Sequence, residues 1–190
     1  MKNLAIFASG NGSNAQSIIE HFNKGEIARE KVIICNKPDA YVLSRAKSLG
    51  VPAIVLPKEE LTCGTPVSLM AILEEQSIDY IVLAGYLLKI PEALVTAYNG
   101  RIINIHPSLL PKFGGKGMYG FHVHKAVLDA GETESGITIH IVDTQFDTGT
   151  HLLQATCPVF PTDTPESLAQ RIHSLEKEHF AATIERYINL

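Results

Sequence analysis

An α/β fold of three layers, a mostly parallel sheet flanked by helices, is predicted by three observations. Short, largely apolar runs recur through the first hundred residues, at 4–8, 32–35 and 78–83. Runs of this kind read as strands buried on both faces, the mark of a parallel sheet. Segments with apolar residues at helical spacing lie between them. Beyond about residue 130 the pattern changes. Residues 137–143 alternate apolar and polar, and 151–158 follow as the return strand of an antiparallel hairpin.

The elements follow in order. The strand at 4–8 ends in Gly10-Asn11-Gly12-Ser13-Asn14, after which Ile18, Ile19 and Phe22 recur as a helix face. Ser13 or Asn14 is the expected helix cap. A second strand at 32–35 is followed by a helix through Arg45 that stops at Gly50. Residues 53–56 are a short third strand. Residues 57–66 are polar, broken by Gly64 and Pro66, and predicted as loop. A helix at 67–75 precedes the strand at 78–83, and a short helix at 91–98 precedes the strand ending at Ile105. Lys112 to Gly120 is dense in glycine and reads as loop. A helix at 121–130 carries His122 and His124. Thr164 caps a last helix that Pro165 opens and that runs to about Tyr187.

At 190 residues the chain suits one sizeable core, expected as a single domain over 1–190. A net charge of −4 with scattered Lys and Arg points away from nucleic acid. Cys35, Cys63 and Cys157 are far apart and lack metal-type spacing, so free thiols are expected. The short apolar start at residues 3–8 reads as a first strand, not a signal peptide. No apolar run reaches membrane-spanning length. A cytoplasmic location and small-molecule ligands are the expectation.

The stretch Asn104-Ile105-His106-Pro107-Ser108-Leu109-Leu110-Pro111 carries most of the chemistry. Side chains two apart on a strand point the same way, so Asn104 and His106 share a face. Pro107 holds His106 extended. An amide and an imidazole at the carboxyl end of a strand lie where open α/β sheets bind ligands. Together they suit an oxygen that becomes negative in a tetrahedral intermediate. Asp147, in the loop leaving the strand at 137–143, is a candidate to pair with His106 and raise its pKa, or else a turn residue before Gly149. His140 lies opposite Ile139 and Ile141 and is predicted to face the same cleft. His122 and His124 are two apart and do not share a helix face, which argues for packing or substrate contact over metal. The glycine turn at 10–14 offers backbone N–H groups at a helix start, a geometry suited to phosphate, though an ordinary tight turn reads the same way. It is neither a full dinucleotide fingerprint nor a Walker loop.

Four segments in order, Gly10-Asn11-Gly12-Ser13-Asn14, Leu83-Ala84-Gly85-Tyr86, Asn104 to Pro111, and Asp147-x-Gly149, resemble the folate-dependent phosphoribosylglycinamide formyltransferases over nearly the whole chain. The longer methionyl-tRNA formyltransferases are similar but carry an added tRNA-binding domain. The resemblance implies a Rossmann-like fold with a phosphate-binding half, about 1–100, and a folate and catalytic half, about 101–190. It implies 10-formyltetrahydrofolate as co-substrate, no metal, phosphoribosylglycinamide as acceptor, a role in purine biosynthesis, and a monomer or homodimer. Asn104, His106 and Asp147 match the family's catalytic trio. Gly12, Ser13 and Asn14 match its phosphate segment, and Glu176 matches a carboxylate that binds the amine. Leu87, Leu88, Lys89, Ile90 and Asn104 match its folate contacts, with the loop 143–147 closing over the pterin ring. The resemblance also implies a cis Leu110–Pro111 bond. Leu88 stands where many members carry arginine, and 62–66 lack another, leaving Lys89 or Lys58 as candidates for the folate tail. Two rival readings are a formyltransferase acting on a nucleotide-linked amino sugar and a non-catalytic phosphate-binding module.

Overall fold

The apolar run near the N-terminus forms β1 (Lys2–Ala8), the centre of the sheet. Its side chains alternate between two cores. Leu4, Ile6 and Ala8 pack on one face of the sheet, and Ala5 and Phe7 on the other. Burial on both faces is why the run shows no polar alternation.

The computed structural model describes residues 1–23 and 25–190. After β1 come α1 (Ser13–Phe22), β2 (Ala28–Cys35), α2 (Tyr41–Leu49), β3 (Ala53–Val55), α3 (Lys58–Thr62) and α4 (Val67–Glu75). Then follow β4 (Tyr80–Leu83), α5 (Glu92–Ala97), β5 (Ile102–His106), α6 (Phe121–Asp129), β6 (Glu134–Ile141), β7 (His151–Pro158) and α7 (Pro165–Ile188). The sheet order is β3-β2-β1-β4-β5-β6-β7. Pairs from β3 through β5 are parallel, and β6 runs antiparallel to both β5 and β7. The predicted three-layer, Rossmann-like architecture with an antiparallel C-terminal part is the architecture observed. Its helices α1, α2, α6 and α7 contribute to the core on one face, and α3, α4 and α5 to that on the other.

The strand order reverses at β1, which pairs with β2 on one side and β4 on the other. In such sheets the crevice opens beyond the carboxyl ends of the strands at this point. The turns after β1 and β4 meet there. Ser9 N donates to Gly85 O at 3.1 Å, and Leu87 N donates to Ser9 Oγ at 3.0 Å.

Three local expectations change. Residues 57–66 are not all loop, because α3 forms within them. Leu61 alone anchors α3, fully buried, with Glu59 and Glu60 in its first turn. A single apolar residue leaves no period to detect. Neither Ser13 nor Asn14 caps α1. Its N-cap is Gly12 in the left-handed region, with no side-chain cap. The strand β6 begins at Glu134 and ends at Ile141, so it is offset from 137–143. The Thr164 cap on α7 is present, completed by Ser167 in a capping box. The Leu110–Pro111 bond is cis. Cys35, Cys63 and Cys157 are free. Among the described residues, no helix is long and apolar enough to cross a membrane.

Candidate functional site

A cleft of about 600 Å³ opens at the switch point, beyond the ends of β1, β4 and β5. The segments singled out in the sequence converge on it. Gly12, Ser13, Asn14 and Glu176 line one part, and Leu87 to Ile90 another. Asn104, His106 and Asp147 lie on the wall between.

The turn at 10–14 is built from backbone. Gly12 has φ +78, and a Cβ there would fall 2.5–2.9 Å from Val42 atoms. Both the left-handed conformation and the close approach of α2 require glycine. Without a side-chain cap, the first-turn amides of α1 remain available to an anion in the cleft, at the positive end of the helix. Arg45 steadies the turn from outside. Its Nε donates to Asn11 O at 2.9 Å, its Nη2 donates to Asn11 Oδ1 at 2.8 Å, and its Nη1 bonds Gln16 Oε1.

The second part of the site is built from side chains. Asn104 and His106 project from β5 on one face, as their spacing predicts. In the ladder Asn104 lies opposite His140, and His106 opposite Thr138. His140 Nδ1 lies 3.0 Å from Ile141 O, a carbonyl that can only accept, so Nδ1 carries the proton. Nε2 lies 3.0 Å from Asn104 Nδ2. This pair sets the direction of the Asn104 amide. Asp147 arrives from the loop after β6 with φ +56. Its Oδ2 accepts from Gly115 N at 2.8 Å and lies 3.6 Å from His106 Nδ1. Its Oδ1 lies 3.7 Å from His140 Nε2. Gly149 makes this loop possible, because a Cβ there would lie 1.7 Å from Ile141 O.

Electrostatics corrects one expectation. Burial drives the His106 imidazole below its ordinary pKa, and Asp147 and the Phe113 carbonyl oppose it without prevailing. His106 is 4% exposed, and in the unliganded site it is neutral at pH 7. Its Nε2 donates to Phe113 O at 2.8 Å. Its Nδ1, at 3.6 Å from Asp147 Oδ2, lies beyond hydrogen-bond range. Burial also pushes the Asp147 carboxyl up, but His140, His106 and the Gly115 amide outweigh it, and it lies below the usual carboxylate range. Asp147 is ionised, poised to stabilise a proton that reaches His106.

Glu176, on α7, is 7% exposed. Its Oε2 accepts from Asn14 Nδ2 at 3.0 Å and from His173 Nδ1 at 2.9 Å. Across the mouth, Lys89 Nζ sits 5.8 Å from the centre of the Phe146 ring, linking the segment after β4 to the loop 143–147. Lys58 also lines the cleft. His124 is buried at the wall while His122 is exposed, as their spacing predicts. Among the described residues, no three His, Cys, Asp or Glu are arranged to hold a metal.

The sequence did not single out Thr138 or Phe113. Thr138, fully buried, donates to Ser108 O at 2.7 Å and accepts from Leu110 N at 3.0 Å and Gln154 Nε2 at 2.9 Å. One hydroxyl thus uses its donor and both lone pairs to hold the segment after His106. Its place in the alternation of β6 puts it on the face of His140, but nothing in the sequence marks its partners. Phe113 acts only through its carbonyl, which no side-chain reading detects.

An amide, an imidazole and a carboxylate beside an anion-suited helix start define the class. The chain belongs to the formyl transferase family, whose model matches residues 2–184. Within it the similarities are narrower. The chain is 37% identical over 193 residues to the phosphoribosylglycinamide formyltransferase of Bacillus subtilis, covering 100% of this chain and 96% of that one. It is 46% identical over 182 residues to the chloroplastic phosphoribosylglycinamide formyltransferase of Arabidopsis thaliana, covering 94% of this chain. It spans only 62% of the length of that plant relative. The crystal structure of glycinamide ribonucleotide transformylase 1 from Geobacillus kaustophilus superposes with a TM-score of 0.90 at 37% identity, covering 99% of each chain.

Proposed function

We propose that this chain is one formyltransferase domain that transfers the formyl group of 10-formyltetrahydrofolate to the primary amine of 5′-phosphoribosylglycinamide. The reading makes it a cytoplasmic enzyme of purine biosynthesis. One observation supports it most. Asn104 and His106 come from β5 and Asp147 from a distant loop, yet Asn104 and Asp147 both approach His140, and His106 lies beside Asp147, on one wall of the cleft.

In this reading the phosphate rests on the α1 amides at Gly12, Ser13 and Asn14. Glu176 accepts an N–H of the glycinamide amine. The folate ring lies along Leu87, Leu88, Lys89 and Ile90, with Lys89 or Lys58 facing its acidic tail. The amine lone pair attacks the formyl carbon, and the carbonyl oxygen becomes an oxyanion. Asn104 Nδ2, oriented by His140, donates to that oxygen. His106, neutral at rest, takes the proton the attacking nitrogen loses. Asp147 stabilises the imidazolium so formed. The intermediate collapses as the bond from the formyl carbon to the folate nitrogen breaks, and the proton passes to that nitrogen. One formyl group and one proton have exchanged places between the two nitrogens. No metal enters the scheme.

Mixing the protein with phosphoribosylglycinamide and 10-formyl folate and following deformylated folate tests the reading. Turnover with this acceptor, and little with a nucleotide-linked amino sugar, is the expected result. No turnover by folded protein overturns it.

A further inference from the structure

The two oxygens of Glu176 differ. Oε2 takes both protein donors, Asn14 Nδ2 and His173 Nδ1. Among the described residues no donor reaches Oε1, which is left to the cleft that the residue lines. A bare carboxylate facing a primary amine has a chemical drawback. It favours the ammonium form, which has no lone pair and cannot attack. An α-amine titrates near about 8 in water, so at neutral pH most of it arrives as ammonium.

The partner of Glu176 removes that drawback. The His173 ring is hydrogen-bonded to Oε2 at Nδ1, while its side chain is 64% exposed, so protons exchange with solvent. Glu176 raises the His173 pKa through this hydrogen bond, against burial. With His173 protonated the pair carries no net charge. No other group at this wall replaces it. From α6, His124 faces the pair, but burial first and His173 next hold it below the ordinary histidine range, and its buried Nδ1 has no partner. From β5, His106 is neutral for the same first reason. From α1 comes only the uncharged amide of Asn14. On α7 itself, Lys177 and Glu178 are exposed, and Glu176 is the ionisable neighbour that shifts His173.

We infer that His173 is a positioning residue that cancels the charge of Glu176, so that the acceptor amine binds as the nucleophilic free base. The inference rests on the proposed role of Glu176 at the amine. On binding, the ammonium gives one proton to solvent, and its freed lone pair is the one that forms the new bond to the formyl carbon. Glu176 Oε1 accepts a remaining N–H and aims that lone pair.

The test uses the full chain and phosphoribosylglycinamide labelled with ¹⁵N at the amine. The nitrogen shift of the bound ligand is followed against pH in the wild type, His173→Gln and His173→Lys. Glutamine keeps an N–H for Oε2 and removes the charge, while lysine keeps a cation. The amine in His173→Gln is expected to titrate about one unit higher, roughly a tenfold loss of free base at pH 7. The ascending limb of kcat against pH should move the same way, and His173→Lys should restore the wild-type position. Coincident titrations in wild type and His173→Gln overturn the inference and leave the functional reading standing. Failure of the ligand to bind folded wild-type protein overturns both.

Discussion

The two halves of the cleft are made from different materials. The wall at the end of β1 is backbone: a glycine turn and the first amides of α1, with Arg45 tying the turn from outside. The wall at the end of β5 is side chain: Asn104, His106, His140 and Asp147, each oriented by another protein group. Backbone donors have fixed partial charge and suit a ligand group whose charge does not change. Side-chain groups that titrate suit a place where charge and protons move. The comparison predicts that damage to the first wall appears in binding and damage to the second in turnover.

The largest effect is expected at the second wall. His106→Ala and Asp147→Asn should each lose about 10²–10³ in kcat, or about 2.7–4 kcal/mol of barrier, with the circular dichroism spectrum unchanged. Near-wild-type steady-state rates in either would dissolve the distinction between the walls. Gly149→Ala should follow. Its Cβ would meet Ile141 O, and the loop must shift at a cost of about 3 kcal/mol, read as a lower urea midpoint, with Asp147 displaced and turnover reduced. Thr138→Val keeps the shape and strands Ser108 O, Leu110 N–H and an N–H of Gln154. About 2 kcal/mol of stability should be lost, and an unchanged melting point would show that water replaces the hydroxyl.

At the first wall, Gly12→Ala should cost about 1–2 kcal/mol through its positive φ and contact with Val42. Here KM for the phosphorylated acceptor should rise about tenfold with kcat nearly preserved. If kcat fell as far as in Asp147→Asn, the division of labour would be wrong.

The smallest effect is in pH dependence. Folding lowers the His106 pKa from 6.5, so the unfolded chain takes up protons first as pH falls. Its contribution is complete above pH 6.5 and fades as pH drops through the lower folded value. Asp147, also lowered, acts with the same sign in more acid solution, whereas His173, raised, acts in the opposite sense. The turn at 10–14 holds no ionisable side chain. Urea midpoints at pH 7 and 5.5 should therefore separate less in His106→Gln than in the wild type.

The same contrast explains what was readable beforehand. The glycine turn is contiguous, and its spacing after a strand marks it. The pairing of Asn104 with His106 follows from a two-residue period. Asp147 comes from a distant loop, and only the register of β5 against β6 brings His140 between it and Asn104. The short helix α3 has no signature in the sequence, because one buried leucine makes no pattern.

Patterning alone determined the layered sheet, the inward-facing runs, the shared face of Asn104 and His106, and the Thr164 cap, because each depends on neighbours within a few residues. Tertiary structure decided the rest. It turned Asn14 from a cap into a partner of Glu176, gave Thr138 its three bonds, and left His106 neutral beside Asp147. Protonation inside a fold depends on desolvation summed over every surrounding element, and no local stretch of sequence contains that sum.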